Sequence, residues 1–94
     1  MQNETATASS VPTIWIVDDD ASIRWVLTEA LDDRPYEVRS FDSAIEAMRH
    51  LHSAPPTVVI SDVRMPGMDG LEFMDTLHDF DKQIPVIMMT AHAD

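Results

Sequence analysis

The sequence predicts a doubly wound parallel α/β sheet, from short apolar runs, amphipathic stripes between them, and acidic residues set directly after the runs. Near-continuous apolar strands alternating with helices call for a sheet covered on both faces. Right-handed crossovers then make that sheet open and doubly wound. The 94 residues and 45% hydrophobic content suffice for one domain of this kind, and 24% charged residues suit a globular surface.

Residues 1–12 are rich in Ser, Thr and Ala with almost nothing apolar to bury, so they are expected to form a disordered tail ahead of a domain over 13–94. Ile14-Trp15-Ile16-Val17 reads as a buried strand running into Asp18-Asp19-Asp20. Ile23, Val26, Leu27, Ala30 and Leu31 then share one helical face, with Asp20 or Ser22 able to cap its start and Pro35 just beyond its end. Tyr36 to Phe41 is a second, more polar strand. Ala44, Ala47, Met48 and Leu51 form the next stripe, stopped by Pro55-Pro56. The β-branched run Thr57 to Ser61 is a third strand ending at Asp62. Gly67 and Gly70 punctuate a loop, after which Leu71, Met74 and Leu77 open a third helix with Phe73 and Phe80 on its flank. Pro85 to Met89 is a fourth strand ending at Thr90. Trp15 and Trp25 are expected in the core or an interface, and the seven methionines read mostly as adaptable packing, with Met65 able to line a site mouth.

Composition excludes several classes. No cysteine is present, which removes disulfide frameworks and thiolate metal sites and fits a reducing, cytoplasmic setting. Seventeen acidic against six basic residues give a net charge of −11, a surface that repels nucleic acid phosphates and anionic membranes. No apolar run reaches the roughly 18 residues of a membrane span, and Met1 to Pro12 lacks the basic start and apolar stretch of a secretory signal.

In open α/β sheets ligands bind beyond the carboxyl ends of the strands. There the sequence sets Asp18-Asp19-Asp20, Asp62 and Thr90. An aspartate after a strand is ordinarily a helix cap, and a threonine there an ordinary β-branched residue. Several carboxylates converging on one edge are harder to explain by capping, because they repel one another unless a cation neutralises them. A hard divalent ion such as Mg²⁺ suits carboxylate oxygens and waters. A carboxylate beside it is a nucleophile toward phosphorus, and Thr90 could donate to a phosphoryl oxygen. The loop from Val63 to Gly70 adds backbone amides in a turn fixed by Pro and Gly.

Val17-Asp18-Asp19-Asp20, Ser61-Asp62-Val63-Arg64-Met65-Pro66-Gly67-Met68-Asp69-Gly70 and Met89-Thr90-Ala91 together resemble the receiver domains of bacterial two-component response regulators, from about Ile14 to the last residue. The D-x-x-M-P-x-M-[DN]-G block is highly specific. Ser22 to Leu27 and Met88 to His92 look like the nitrogen-regulatory, NtrC-type branch. The resemblance implies a CheY-like (flavodoxin-like) receiver fold with Asp62 as phosphoacceptor, supplied by a sensor histidine kinase. It implies Mg²⁺ held by Asp18, Asp19, Asp62 and the backbone carbonyl of Arg64, with Asp19 the more direct ligand of the acidic pair. Asp20 looks like an extra acid that caps the helix, though it could substitute in the acidic pair, and Thr90 looks like the switch hydroxyl. It also implies a cytoplasmic signalling switch, not an enzyme, acting on transcription in full-length members.

Members of that family continue through a fourth helix, a fifth strand and a fifth helix, whereas this sequence stops at Asp94, so the fold is expected to be truncated at about four strands and three helices. The family's lysine after the fifth strand has no counterpart, since Lys82 precedes the fourth strand. An uncovered fourth-strand edge would favour self-association. His92 lies near the site by sequence, while His50 and His52 face differently on a helix and make a poor metal pair. Two other readings stand beside the receiver. A haloacid-dehalogenase-like phosphatase would use Asp18-x-Asp20, but Ser22 is wrong for its motif and the Met-Pro-Gly-Met-Asp-Gly block is left unexplained. A phosphorylation-incompetent binding module would engage a kinase without phosphoryl transfer.

Overall fold

A computed structural model of the chain describes residues 11–32 and 35–90. Most of the expected tail, residues 1–10, and His92 lie outside the described residues. The elements run β1 (Thr13–Val17), α1 (Ala21–Leu31), β2 (Glu37–Phe41), α2 (Ala44–Met48), β3 (Val58–Asp62), α3 (Gly70–Phe80) and β4 (Val86–Met89). Each expected strand is present within about a residue of its sequence bounds.

All four strands are parallel, in the order β2-β1-β3-β4. The chain moves outward from β1 to β2 and then crosses back to β3, so the order reverses between β1 and β3. Such sheets bind ligands beyond the carboxyl ends of two neighbours at a reversal of this kind. Sequence places Asp18 and Asp19 after one of these strands and Asp62 at the end of the other.

Register assigns the side chains to faces, because they alternate along each strand. Trp15 pairs with Val59, and Val17 with Phe41 and Ser61. This face packs under α2 and α3 as an apolar core of Trp15, Val17, Phe41, Ala44, Ala47, Leu51, Val59, Met65, Phe73, Leu77 and Ile84. Trp15 and Phe41 meet edge-on, with ring centroids 5.0 Å apart. On the other face, α1 lies over β1 and β2.

The helices depart from their expected stripes in informative ways. Around α3 the buried residues are Gly70, Phe73 and Leu77, whereas Leu71 is exposed and Met74 only half-buried. Phe73, expected on the flank, is fully buried. The start of the helix sets its rotation: Asp69 accepts from Glu72 N at 2.9 Å while Glu72 accepts from Asp69 N at 3.1 Å, a reciprocal capping box. Gly70 is held against the Asp62–Val63 backbone, so the residues facing the sheet follow from Gly70 at i+3 and i+7. In α2, Ala44 and Ala47 are buried as expected and Met48 is half-buried, and Leu51 just beyond the helix is buried too. The regular helix ends at Met48, and bonds from His50 N to Ala47 O and from Leu51 N to Met48 O tighten the chain into i→i+3 turns before the prolines.

α1 buries no residue at all. Trp25 is 66% exposed and therefore not a core residue, and Val26 is also exposed. The apolar stripe is wider than the contact it finds, since the helix rests mainly on β1 and β2.

A carboxylate cluster at the strand crossover

Local hydrogen bonds shape the β1–α1 turn before any ligand is considered. Asp18 N donates to Phe41 O at 3.1 Å, which extends the sheet ladder one residue past β1. The Asp18 carboxylate accepts from Asp20 N at 2.9 Å. Asp20 then caps α1, its Oδ1 accepting from Ser22 N at 2.8 Å and Ile23 N at 3.3 Å. Capping was one of two roles open to Asp20 from the sequence, and it is the one the structure displays.

Asp18, Asp19 and Asp62 come together, with a carboxylate oxygen of each within 4.8 Å of the others. Asp18 and Asp62 are buried, while Asp19 is exposed. Burial pushes the Asp18 carboxyl above its ordinary range. The Asp20 amide opposes this in part, and the charges of Asp62, Asp19 and Asp20 add to the rise. The cluster thus stores repulsion that a cation would relieve.

The β3–α3 loop is fastened as firmly as the first turn. Val63 N donates to Met89 O at 3.1 Å, Gly70 N to Val63 O at 2.9 Å, and Ser61 Oγ to Asp62 O at 2.9 Å. Arg64 N points at Asp62 Oδ1 from 3.4 Å, a long bond. Gly67 turns the loop in the left-handed region at φ 78°, which glycine adopts without strain. A Cβ on Gly70 would fall 2.2 Å from Asp62 O, so only glycine lets α3 start against the backbone of Asp62. Val63, Arg64, Met65, Pro66 and Asp69 line an open groove beside the cluster, with Met65 also reaching the core.

The other sequence-selected residues fall as follows. Thr90 is exposed and follows Met89, the β4 partner of Asp62, so it stands at the same edge of the sheet, with no hydrogen bond to Asp62 among the described residues. Lys82 precedes β4 and lies at the opposite edge, about 13 Å of strand away at ~3.3 Å per residue. His50 stacks on Phe41 at 5.3 Å and His52 meets Phe80 edge-on at 5.0 Å, two separate environments. Arg24 was given no role from the sequence, yet its Nη1 donates to Asp18 O at 2.7 Å. The one signal for it was an arginine just inside the first turn after the acidic run.

Comparison with known proteins agrees with this geometry. The model of the response regulator receiver domain matches residues 14–94. The chain is 46% identical over 81 residues to the DNA-binding transcriptional regulator NtrC of Escherichia coli (strain K12), covering 86% of this chain and 17% of that protein. It is 38% identical over 86 residues to the C4-dicarboxylate transport transcriptional regulatory protein DctD of Rhizobium meliloti (strain 1021), covering 92% and 19%. The chemotaxis protein CheY4 of Vibrio cholerae superposes with a TM-score of 0.81 at 33% identity, covering 90% of this chain and 72% of that one.

The chain belongs to the response regulator receiver domain family. It is a phosphorelay signalling domain of the CheY-like fold, similar to the NtrC-type regulators and spanning about a fifth or less of the length of the curated relatives it matches. The family match leaves the phosphatase reading without a supporting observation.

Proposed function

We propose that Asp62 is the phosphoryl acceptor of this receiver. The supporting observation is its placement: a buried carboxylate at the end of β3, at the strand crossover, within 4.8 Å of the carboxylates of Asp18 and Asp19. In the transfer, an Asp62 carboxylate oxygen attacks the phosphorus of a phosphohistidine on a sensor histidine kinase. The O–P bond forms, the N–P bond breaks, and the imidazole leaves with the bonding electron pair. Asp18 stays fixed by the Asp20 amide, and the backbone amides of the β3–α3 loop line the approach. Thr90 is the hydroxyl that donates to the phosphoryl group and reports its arrival.

The donor set fits Mg²⁺, being all oxygen, acidic and partly open to water. One carboxylate oxygen of each aspartate already lies within 4.8 Å of the others, close enough for the three to share a single cation. Asp18, Asp19, Asp62 and the Arg64 carbonyl would hold the ion, which when bound supplies charge neutralisation for the cluster and the arriving phosphoryl group.

The domain acts as a cytoplasmic switch that is modified once per signal, without turnover of a substrate. No helix among the described residues is long and apolar enough to cross a membrane. In a longer protein resembling the relatives, its phosphorylation would govern transcription. The outer edge of β4 is free among the described residues, and its backbone groups suit pairing with a second copy. Sedimentation that shows a concentration-independent monomer would remove that last element.

Intact-protein mass spectrometry after exposure to acetyl phosphate, with and without Mg²⁺, tests the central reading. One Mg²⁺-dependent phosphoryl adduct, lost in Asp62→Asn, is expected. No adduct on a folded chain would leave the binding-module reading in its place.

A further inference from the structure

Asp19 is the exposed member of the carboxylate cluster, and among the described residues no hydrogen bond holds its side chain. Its direction therefore depends on the backbone that carries it. The carbonyl of Asp18 and the amide of Asp19 share one rigid peptide plane. That plane is fixed from the α1 side by Arg24, whose Nη1 donates to Asp18 O at 2.7 Å, a short charge-assisted bond. On the other side of the same residue, Asp18 N is tied to Phe41 O at 3.1 Å. Arg24 is itself anchored, its own amide bonding Asp20 O at 3.1 Å in the first turn of α1. No carboxylate lies within ion-pair distance of its guanidinium among the described residues, so its bond goes to the backbone and not to a ligand group.

We propose that Arg24 is a positioning residue for the metal cluster: by locking the Asp18–Asp19 peptide, it aims the Asp19 carboxylate into the space shared with Asp18 and Asp62. The proposal rests on the Mg²⁺ reading of the cluster. Positioning and charge predict opposite signs. A guanidinium beside three acids disfavours an incoming cation, so as a mere charge its removal would tighten Mg²⁺ binding. As a clamp on the ligand-bearing peptide, its removal weakens binding, as loss of an outer support of a metal ligand does, by about tenfold or more.

Isothermal titration of the full chain with Mg²⁺ decides between them, using Arg24→Gln, Arg24→Lys and, as a control on the same helix, the exposed Trp25→Gln. The Mg²⁺ dissociation constant is expected to rise about tenfold in Arg24→Gln. It should rise by an intermediate amount in Arg24→Lys, which keeps the charge and one donor but not the planar fork. Trp25→Gln should match the unsubstituted chain. Amide NMR shifts in the metal-free Arg24 variants should centre on Asp19 and Asp20. A merely structural role would lower the urea midpoint while the folded chain bound Mg²⁺ as before. An unchanged or tighter constant in folded Arg24→Gln overturns the proposal. If that variant does not fold, an unchanged constant in Arg24→Lys overturns it and a weaker one supports it. Failure of the unsubstituted chain to bind Mg²⁺ overturns both this inference and the metal reading beneath it.

Discussion

The two faces of the sheet are built from equally apolar strands and end in different states. On the face under α2 and α3, Trp15, Val17, Val59, Phe73 and Leu77 are fully buried. On the face under α1, burial fades across the sheet. Ile14 and Ile16 are covered on β1, Val58 and Ile60 are half-buried on β3, and Ile87 on β4 is 53% exposed. Helix placement explains the gradient, because α1 lies mainly over β1 and β2. Stability therefore resides mainly on one face, and the acidic cluster sits where the elements of both faces converge, at the ends of β1 and β3.

This contrast can be broken or sharpened by substitution, from the largest effect downward. Phe73→Ala, on the closed face, should cost about 3–5 kcal/mol in urea unfolding, by lost transfer and a cavity that cannot collapse. A cost below 1 kcal/mol would show that the closed face is not the stabilising one. Gly70→Ala tests where that face meets the site, since the new Cβ would fall 2.2 Å from Asp62 O. It should destabilise by about 1–3 kcal/mol and slow adduct formation, because α3 and the Asp62 backbone must separate.

A smaller effect, of opposite sign, is expected at Asp18. Its folded-state carboxyl is raised above the ordinary 3.8, so between that value and the folded one the native chain binds more protons than the unfolded chain. Stability from this group consequently falls as pH rises through that window, and the penalty disappears below it. Without divalent ions, Asp18→Asn should melt above the unsubstituted chain at neutral pH, with the gap shrinking on acidification. A gap that widened toward low pH would contradict the burial of an ionised group. Smallest of all, Trp25→Gln on the open face should change stability by no more than about 0.5 kcal/mol, despite the loss of a large aromatic. A cost above 2 kcal/mol would mean that this face is closed in solution.

Much of the candidate site was legible because it lies at strand ends. A run such as Ile14–Val17 followed by three acids places carboxylates at the edge of a parallel sheet, whatever the details of packing. The block around Asp62, with Pro66, Gly67 and Gly70, carries its own turn chemistry. Arg24 was not legible, because a backbone carbonyl leaves no trace in the sequence of the residue that will bond to it. The ordering within the acidic run came from the family resemblance and not from spacing: Asp20 turns away to cap α1 while Asp18 and Asp19 gather with Asp62.

By itself the sequence determined the alternation of strands and helices, the parallel sheet and the edge at which the acids gather. Strand periodicity, β-branched runs and proline or glycine stops are local properties, and they act before the chain is packed. α2 buries the stripe its sequence shows, but tertiary structure alone decided which residues of α1 and α3 are covered. Leu71 and Phe73 are both apolar and only two residues apart, and the sheet takes Phe73 because Gly70 fixes the rotation of α3 against Asp62. It also decided that Trp15 is enclosed while Trp25 is not. Burial depends on what lies opposite a side chain, and that is a property of the assembled layers rather than of the residue.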